Sequence, residues 1–250
     1  MKFSEQLIAL LQSAESICVL TGAGISAESG VPTFRGEEGL WKKFRPEELA
    51  NFDAFIRNPK LVWEWYRYRR KLIHEVKPNP GHHALVDLER VARDFTLVTQ
   101  NIDNLHRRAG SKSVVELHGN IERAYCIECG EAAAGTEMEN LSGVPKCRMC
   151  NGIVRPDVVW FGENLPVEAF SKAEAAARRC ELFFSIGTSA VVYPAASLPF
   201  TALNSGAYVV EINRESTDLS SRANETLFGN AGEILPDLLS QANVHKRGKP

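Results

Sequence analysis

Ile17-Cys18-Val19-Leu20-Thr21-Gly22-Ala23-Gly24-Ile25-Ser26-Ala27 is an apolar run that empties into a glycine-bearing turn. It reads as a strand feeding a glycine-rich loop. Residues 95–99, 113–117, 182–186 and 208–212 have the same character, each an apolar run that stops at a polar or glycine-bearing segment. Helical patterns lie between several of them, at 81–93, 167–179 and 195–204. This alternation predicts an α/β fold, a parallel sheet covered by helices on both faces. Ligands in such sheets bind outside the carboxyl ends of the strands. All five runs carry their most distinctive residues there.

Two stretches break the rhythm. Residues 37–77 are rich in aromatic and basic residues and read as helices with no strand between, and residues 121–154 hold paired cysteines around a Gly-, Ala- and Glu-rich loop. Both are expected to be insertions that together form a smaller module. The division is then a main domain of residues 1–36, 78–120 and 155–250, with a module of residues 37–77 and 121–154. A chain of 250 residues accommodates such an arrangement. With 44% hydrophobic and 24% charged residues it has the composition of a globular protein with a full core. A net charge of −2 gives no basic field for nucleic acid or an anionic membrane. No repeats occur, and residues 246–250 read as a disordered tail.

The longest apolar run near the start, residues 7–11, is too short for a signal-peptide core, and no stretch approaches the roughly 18 apolar residues of a membrane span. A cytoplasmic protein is expected, with its thiols reduced. Four of the six cysteines form two knuckles, Cys126-x-x-Cys129 and Cys147-x-x-Cys150. The loop between them falls within the roughly 15–20 residues typical of four-cysteine zinc sites. Two disulfides conflict with a reducing compartment, and a redox dithiol does not need a duplicate. One zinc held by Cys126, Cys129, Cys147 and Cys150 is expected, structural because four thiolates leave no open coordination position. Cys18 and Cys180 sit in or beside apolar runs and read as core.

The turn Gly22-Ala23-Gly24-Ile25-Ser26-Ala27 matches a loose dinucleotide-binding pattern, G-x-G-x-x-A. Alone it is also what a plain strand-to-helix turn looks like. It departs from a dehydrogenase: Gly30-Val31-Pro32 soon interrupts the helix, and no strand ending in an acidic residue follows about 20 residues on. A nucleotide phosphate fits this turn, whereas hydride chemistry has little support.

The longer stretch Gly22 through Phe34-Arg35-Gly36, together with Thr99-Gln100-Asn101-Ile102-Asp103-Asn104-Leu105-His106, Leu117-His118-Gly119 and Gly187-Thr188-Ser189, resembles the sirtuin signature in order and spacing, with the four-cysteine module directly after His118-Gly119. The resemblance runs from about residue 17 to 232. It implies a Rossmann-like domain with a small zinc-plus-helix module, and an NAD-consuming lysine deacylase working in the cleft between them. NAD is then a co-substrate and acylated lysines on proteins are the partners. Carried over by position, Gly22, Ala23, Gly24, Phe34 and Arg35 belong to the loop over NAD. Gln100, Asn101, Ile102 and Asp103 line its nicotinamide end, Gly187, Thr188 and Ser189 meet phosphate or ribose, Asn213 and Arg214 meet the adenosine end, and Ala231 meets adenine. Asn101 and Asp103 could equally start a helix toward His106.

Of the six histidines, His118 ends an apolar run and precedes a glycine. Read alone it is a hydrogen-bonded histidine at a domain junction; with the resemblance it becomes the general base, beside Asn101. His82, His83 and His106 keep structural readings. The implied chemistry transfers the acyl group to ADP-ribose, releasing nicotinamide. Val158, Val159, Trp160 and Phe161 are expected to offer a strand edge and an apolar channel to the substrate segment. Val62, Trp65, Tyr66, Arg69 and Ile73 fall on one helical face, so a charge interrupts an apolar stripe. Arg69 either snorkels to solvent or pairs with a neighbour, or joins Tyr66 in an acyl pocket, a pattern resembling the sirtuin subgroup that removes succinyl and malonyl groups. The competing functions are a mono-ADP-ribosyltransferase and a silent NAD-sensing module.

Overall fold

The computed structural model describes residues 1–33, 45–133, 138 and 143–244. Phe34, Arg35 and the 246–250 tail lie outside the described residues.

The chain opens with α1 (Glu5–Ser13), whose first turn is closed by Ser4 accepting from the Leu7 N–H. The run quoted first forms β1 (Ser16–Thr21) and stops at the turn into the short helix α2 (Ala23–Ala27). Among the described residues three helices follow, α3 (Pro46–Leu49), α4 (Phe52–Arg57) and α5 (Pro59–Glu75). Asn58 caps α5 and Pro59 starts it with a preset φ. Next come α6 (Pro80–Val91), β2 (Asp94–Thr99), α7 (Leu105–Ala109), β3 (Val114–Glu116) and β4 (Gly119–Cys126). The chain finishes with β5 (Val154–Val158), α8 (Val167–Arg179), β6 (Leu182–Ile186), α9 (Leu198–Asn204), β7 (Tyr208–Asn213), β8 (Glu225–Phe228) and α10 (Ala231–Gln241).

Six strands form one sheet in the order β3-β2-β1-β6-β7-β8, every pair parallel. The order reverses between β1 and β6, as in a doubly wound Rossmann-like sheet. Side chains of β1 alternate between two cores. Ile17 and Val19 pack with α1, α6 and α10, while Cys18 and Leu20 pack with α8 and α9. Burial on both faces is what makes the strands continuously apolar. The expected strands and helices are present. The addition is β8, whose Glu225-Thr226-Leu227-Phe228 lacks an apolar run because it is a short edge strand with only Leu227 buried.

A third core gathers Phe55, Val62, Trp63, Tyr66 and Ile73 from α4 and α5 with Ile121, Ala124, Val154 and Val158 from the β4–β5 pair and Trp160 just after β5. The two stretches that break the rhythm therefore pack together. Strand β4 begins at Gly119, so it crosses the boundary expected after residue 120. At Gly119, φ is +78°, and a Cβ there would lie 2.1 Å from the Asp157 carbonyl oxygen, so only glycine permits this approach of β4 to β5. Among the described residues no helix is long and apolar enough to cross a membrane.

Candidate active site

The carboxyl ends of β1, β2, β3, β6 and β7 bring several of the expected residues within hydrogen-bond reach of one another. Gly22 N–H donates to the Ile186 carbonyl at 2.9 Å, Gly24 N–H to the Gly187 carbonyl at 2.8 Å, and Gly187 N–H to the Ile212 carbonyl at 2.9 Å. A Cβ on Gly24 would lie 2.6 Å from Gly187 Cα, and one on Gly22 would lie 2.7 Å from the Gly187 oxygen. The first turn and the post-β6 loop thus interlock backbone to backbone. Thr188 Oγ1 accepts from the Gln100 side-chain amide at 3.0 Å, and Asn213 Nδ2 donates to the Thr188 carbonyl at 2.8 Å. Asn213 Oδ1 in turn accepts from the Arg214 N–H at 2.9 Å. Ser189 and Arg214 are exposed beside them, and Ala23 is partly so. Ala231 is buried at the start of α10, where Glu28 accepts from the neighbouring Gly232 N–H at 3.0 Å. Cβ-free backbone, amide side chains and hydroxyls around a switch point suit a phosphate-and-ribose ligand such as NAD.

Asn101 is buried and donates through Nδ2 to the Gly22 carbonyl at 2.9 Å and to Ser26 Oγ at 3.2 Å. Asp103 is buried, accepts from the Leu105 N–H at 2.9 Å and starts α7. Burial pushes its carboxyl up, against the Leu105 and Ser26 hydrogen bonds and the Arg69 charge. Ile102, between Asn101 and Asp103, is 6% exposed and packs into the third core. Sequence reasoning passed over Thr21 and Ser26, which lie under the site. Thr21 Oγ1 donates to Thr99 Oγ1 at 2.9 Å and meets His106 Nε2 at 2.9 Å. His82 and His106 are buried with ring centroids 4.9 Å apart. Burial holds His82 down to about 4 and His106 well below the ordinary imidazole value, so both are neutral supports. Ser26 lies inside the signature run; nothing in its residue type alone marks it.

His118 follows β3 and is partly buried. Its Nδ1 lies 2.9 Å from the Gln100 carbonyl oxygen, which can only accept, so Nδ1 carries the proton and Nε2 keeps a lone pair. Burial lowers its pKa, and the Gln100 contact opposes that only in part. The His118 carbonyl accepts from the Val159 N–H at 3.0 Å. Val158 is buried in β5, and Phe161 is 46% exposed. The N–H groups of Val159, Trp160 and Phe161 donate to the His118 carbonyl, Glu163 Oε2 and the Ala50 carbonyl. The expected strand edge therefore has these donors already engaged inside the protein. Trp160 is 2% exposed and packs into the third core.

On α5 the expected face is buried, including Tyr66 and Arg69 at 2% and 6% exposure. Arg69 thus does not snorkel. Its guanidinium is 5.9 Å from the Trp65 ring centroid, and burial lowers its pKa against the pull of Tyr66 and Asp103.

The sulfurs of Cys126, Cys129, Cys147 and Cys150 all lie within 4.8 Å of one another. Cys126–Cys150 and Cys129–Cys150 are 3.5 Å apart and Cys129–Cys147 is 3.6 Å. Zn–S bonds of about 2.3 Å put tetrahedral sulfurs about 3.8 Å apart, whereas a disulfide needs about 2.05 Å. Amide hydrogens aim at the cluster, Glu128 N–H at Cys126 and Met149 N–H at Cys147, both 3.4 Å. The Cys129 N–H heads the contacts that lower the Cys126 thiol to about 7. Against the pull of the Gly152 N–H, neighbouring sulfurs push Cys150 up to about 12. Four thiols clustered at this spacing, with amide hydrogens aimed at them, are a donor set for zinc.

A family model described as the Sir2 family matches residues 22–194. An NAD-dependent protein deacylase of Aquifex aeolicus is 55% identical over 208 residues, covering 83% of this chain and 87% of that protein. NAD-dependent protein deacylase 2 of Pyrobaculum aerophilum is 50% identical over 239 residues, covering 95% of each. A crystal structure of a Sir2 homolog–NAD complex superposes with a TM-score of 0.91 at 41% identity, covering 97% of this chain and 94% of that one. With the glycine turn, the histidine at the end of β3 and the four-cysteine cluster arranged on this sheet, the chain belongs to the Sir2 family.

Proposed function

We propose that this chain, an NAD-dependent protein deacylase carrying a structural zinc, removes acidic acyl groups such as succinyl and malonyl from protein lysines as well as acetyl. The observation that carries the acyl preference is the burial of Arg69 beside Tyr66 on one face of α5. The planar fork of a guanidinium matches a carboxylate with two parallel hydrogen bonds, so it suits an acidic acyl group, whereas an acetyl methyl gains nothing from it. NAD supplies a ribose acceptor for the acyl group and nicotinamide as the group that leaves. In this reading His118 Nε2 takes a ribose hydroxyl proton. Asn101 holds the Gly22 carbonyl and so fixes the turn that would bear the phosphates. Gln100, Thr188 and Asn213 form one hydrogen-bonded row along the cofactor. The division into a sheet domain and a zinc-plus-helix module, and a reducing cytoplasmic setting for the four thiolates, belong to the same proposal.

A second reading has a specific observation in its favour. Asp103 acts electrostatically on Arg69, so Arg69 could serve as the counter-ion of a buried carboxylate at the NAD end. Arg69→Met separates the two. A charge-assisted hydrogen bond of about 1.5–3 kcal/mol corresponds to roughly 10- to 150-fold in kcat/KM for the succinylated peptide. The acyl-pocket reading expects that loss with little change for the acetylated form. The counter-ion reading expects both to fall together with a raised KM for NAD. Nicotinamide release measured on both forms of one peptide and on the unacylated peptide decides between them, and release without any acyl group would contradict deacylation itself.

A further inference from the structure

Trp160 is held from several directions. The Arg155 guanidinium carbon lies 3.7 Å from the Trp160 ring centroid. Arg155 is itself buried and makes a two-pronged ion pair with Glu163, at 2.5 and 2.8 Å. Glu163 Oε2 accepts from the Trp160 backbone N–H at 2.8 Å. Phe55 stacks obliquely against the indole with centroids 5.1 Å apart. The remaining polar atom of this side chain, Nε1, donates to Tyr66 Oη at 2.9 Å. A buried ion pair, a stacked cation and an aromatic neighbour thus converge on the position of one N–H.

An indole nitrogen can only donate, whereas a phenol oxygen can donate and accept. Once Tyr66 Oη accepts from Trp160, the phenol's own proton cannot face the indole and must point elsewhere. Tyr66 is 2% exposed, so bulk water does not compete for the rotor. Burial raises the Tyr66 pKa, against the pull of Arg69 and Trp160, and keeps the hydroxyl a donor at neutral pH. We propose that Trp160 is a specificity-positioning residue: its indole N–H orients the Tyr66 hydroxyl so that the phenol proton is presented, beside Arg69, to an acidic acyl group. The inference rests on the acyl-pocket reading of Tyr66 and Arg69. Trp160 acts through Tyr66 and does not touch the acyl group. A plain apolar side chain here would fill the core equally well but leave the hydroxyl free to rotate.

The test is Trp160→Phe in the zinc-loaded full chain, with kcat/KM measured on succinylated and acetylated forms of one peptide. The succinyl-to-acetyl ratio should fall about threefold to tenfold, the range for one neutral hydrogen bond. In a Tyr66→Phe background the same substitution should leave the ratio where Tyr66→Phe alone puts it, because no rotor remains to be oriented. Arg69→Met is run in parallel. A ratio that falls in Arg69→Met but stays at the wild-type value in Trp160→Phe overturns this inference alone. A ratio unmoved in both overturns the acyl-pocket reading beneath it. Equal losses on both substrates in Trp160→Phe, or losses that multiply in the double variant, make Trp160 a packing residue and overturn the proposal. Should Trp160→Phe fail to fold, β-(3-benzothienyl)alanine at position 160 keeps the bicyclic shape without the N–H, and the same ratios decide.

Discussion

Replacing His118 with Asn leaves an N–H for the Gln100 carbonyl while removing the basic Nε2, so it isolates proton abstraction from local structure. Loss of a general base costs about 100-fold or more in turnover. His118→Asn should lose that much in kcat with NAD affinity largely kept, and near wild-type turnover would remove His118 from the chemistry. Its burial also sets a pH signature. The working form is the neutral imidazole, and burial lowers its pKa below the ordinary value of about 6.5. Activity should therefore be full at neutral pH and fall only as pH drops through that lowered value. An acid limb of the kcat–pH profile centred above about 6.5 would contradict this assignment. Asn101 illustrates the other kind of site residue, since its amide is spent on the Gly22 carbonyl and Ser26 and helps by fixing the turn.

At the scale of elements, the decisive device is the interlock between the β1–α2 turn and the loop after β6. Gly187 has φ +60°, and its own Cβ would come within 2.5 Å of the Ile25 nitrogen, so both partners in the contact must be glycine. Gly24→Ala forces the two backbones apart, an overpacking of about 1–3 kcal/mol, at the loop proposed to meet phosphate. It should lower the melting temperature and raise the Kd for NAD at least about tenfold, on the scale of one lost contact to a charged group. Gly143→Ala is the control. Among the described residues nothing lies within 4 Å of the Cβ added there, and its effect should stay within about 0.5 kcal/mol of zero. Calorimetric titration with NAD and thermal melts read both. The interlock also explains why the apolar runs end where they do. The glycines are needed for the approach of two strand ends, and the helix after the first turn is cut short by Gly30, at φ +93°.

For the molecule as a whole, the smaller module depends on its metal. Among the described residues strands β4 and β5 form a two-stranded sheet, extended by single bridges such as Tyr125 to Ala132, and two strands are marginal in water without further support. The purified protein should contain one zinc per chain by elemental analysis. Cys147→Ser, or removal of zinc by a chelator, should unfold the segment around β4 and β5 before the main sheet, seen as early loss of hydrogen-exchange protection there. A Cys147→Ser protein that keeps both metal and thermal stability would refute a structural zinc. Period and punctuation made the main sheet legible from residue order: strands buried on both faces must be continuously apolar, and glycine must follow where two backbones touch. The cysteine spacing was likewise readable, because a tetrahedral site constrains sequence locally. Edge strand β8 was not, since half its surface faces water and burial imposes no pattern on it. Nor was the direction of a side chain within a buried layer. Arg69 could have snorkelled, Ile102 and Trp160 could have stood at the surface, and Ser26 and Thr21 could have been mere turn residues. What decided those was which element packs across from each: α5 against the β4–β5 pair turns Trp160 inward to Tyr66, and the return of β2 beside β1 sets Asn101 over Gly22 and Ser26. Local sequence constrains a residue's neighbours three or four positions away, whereas these partners lie 75 to 94 positions apart, and only tertiary packing brings them within a hydrogen bond.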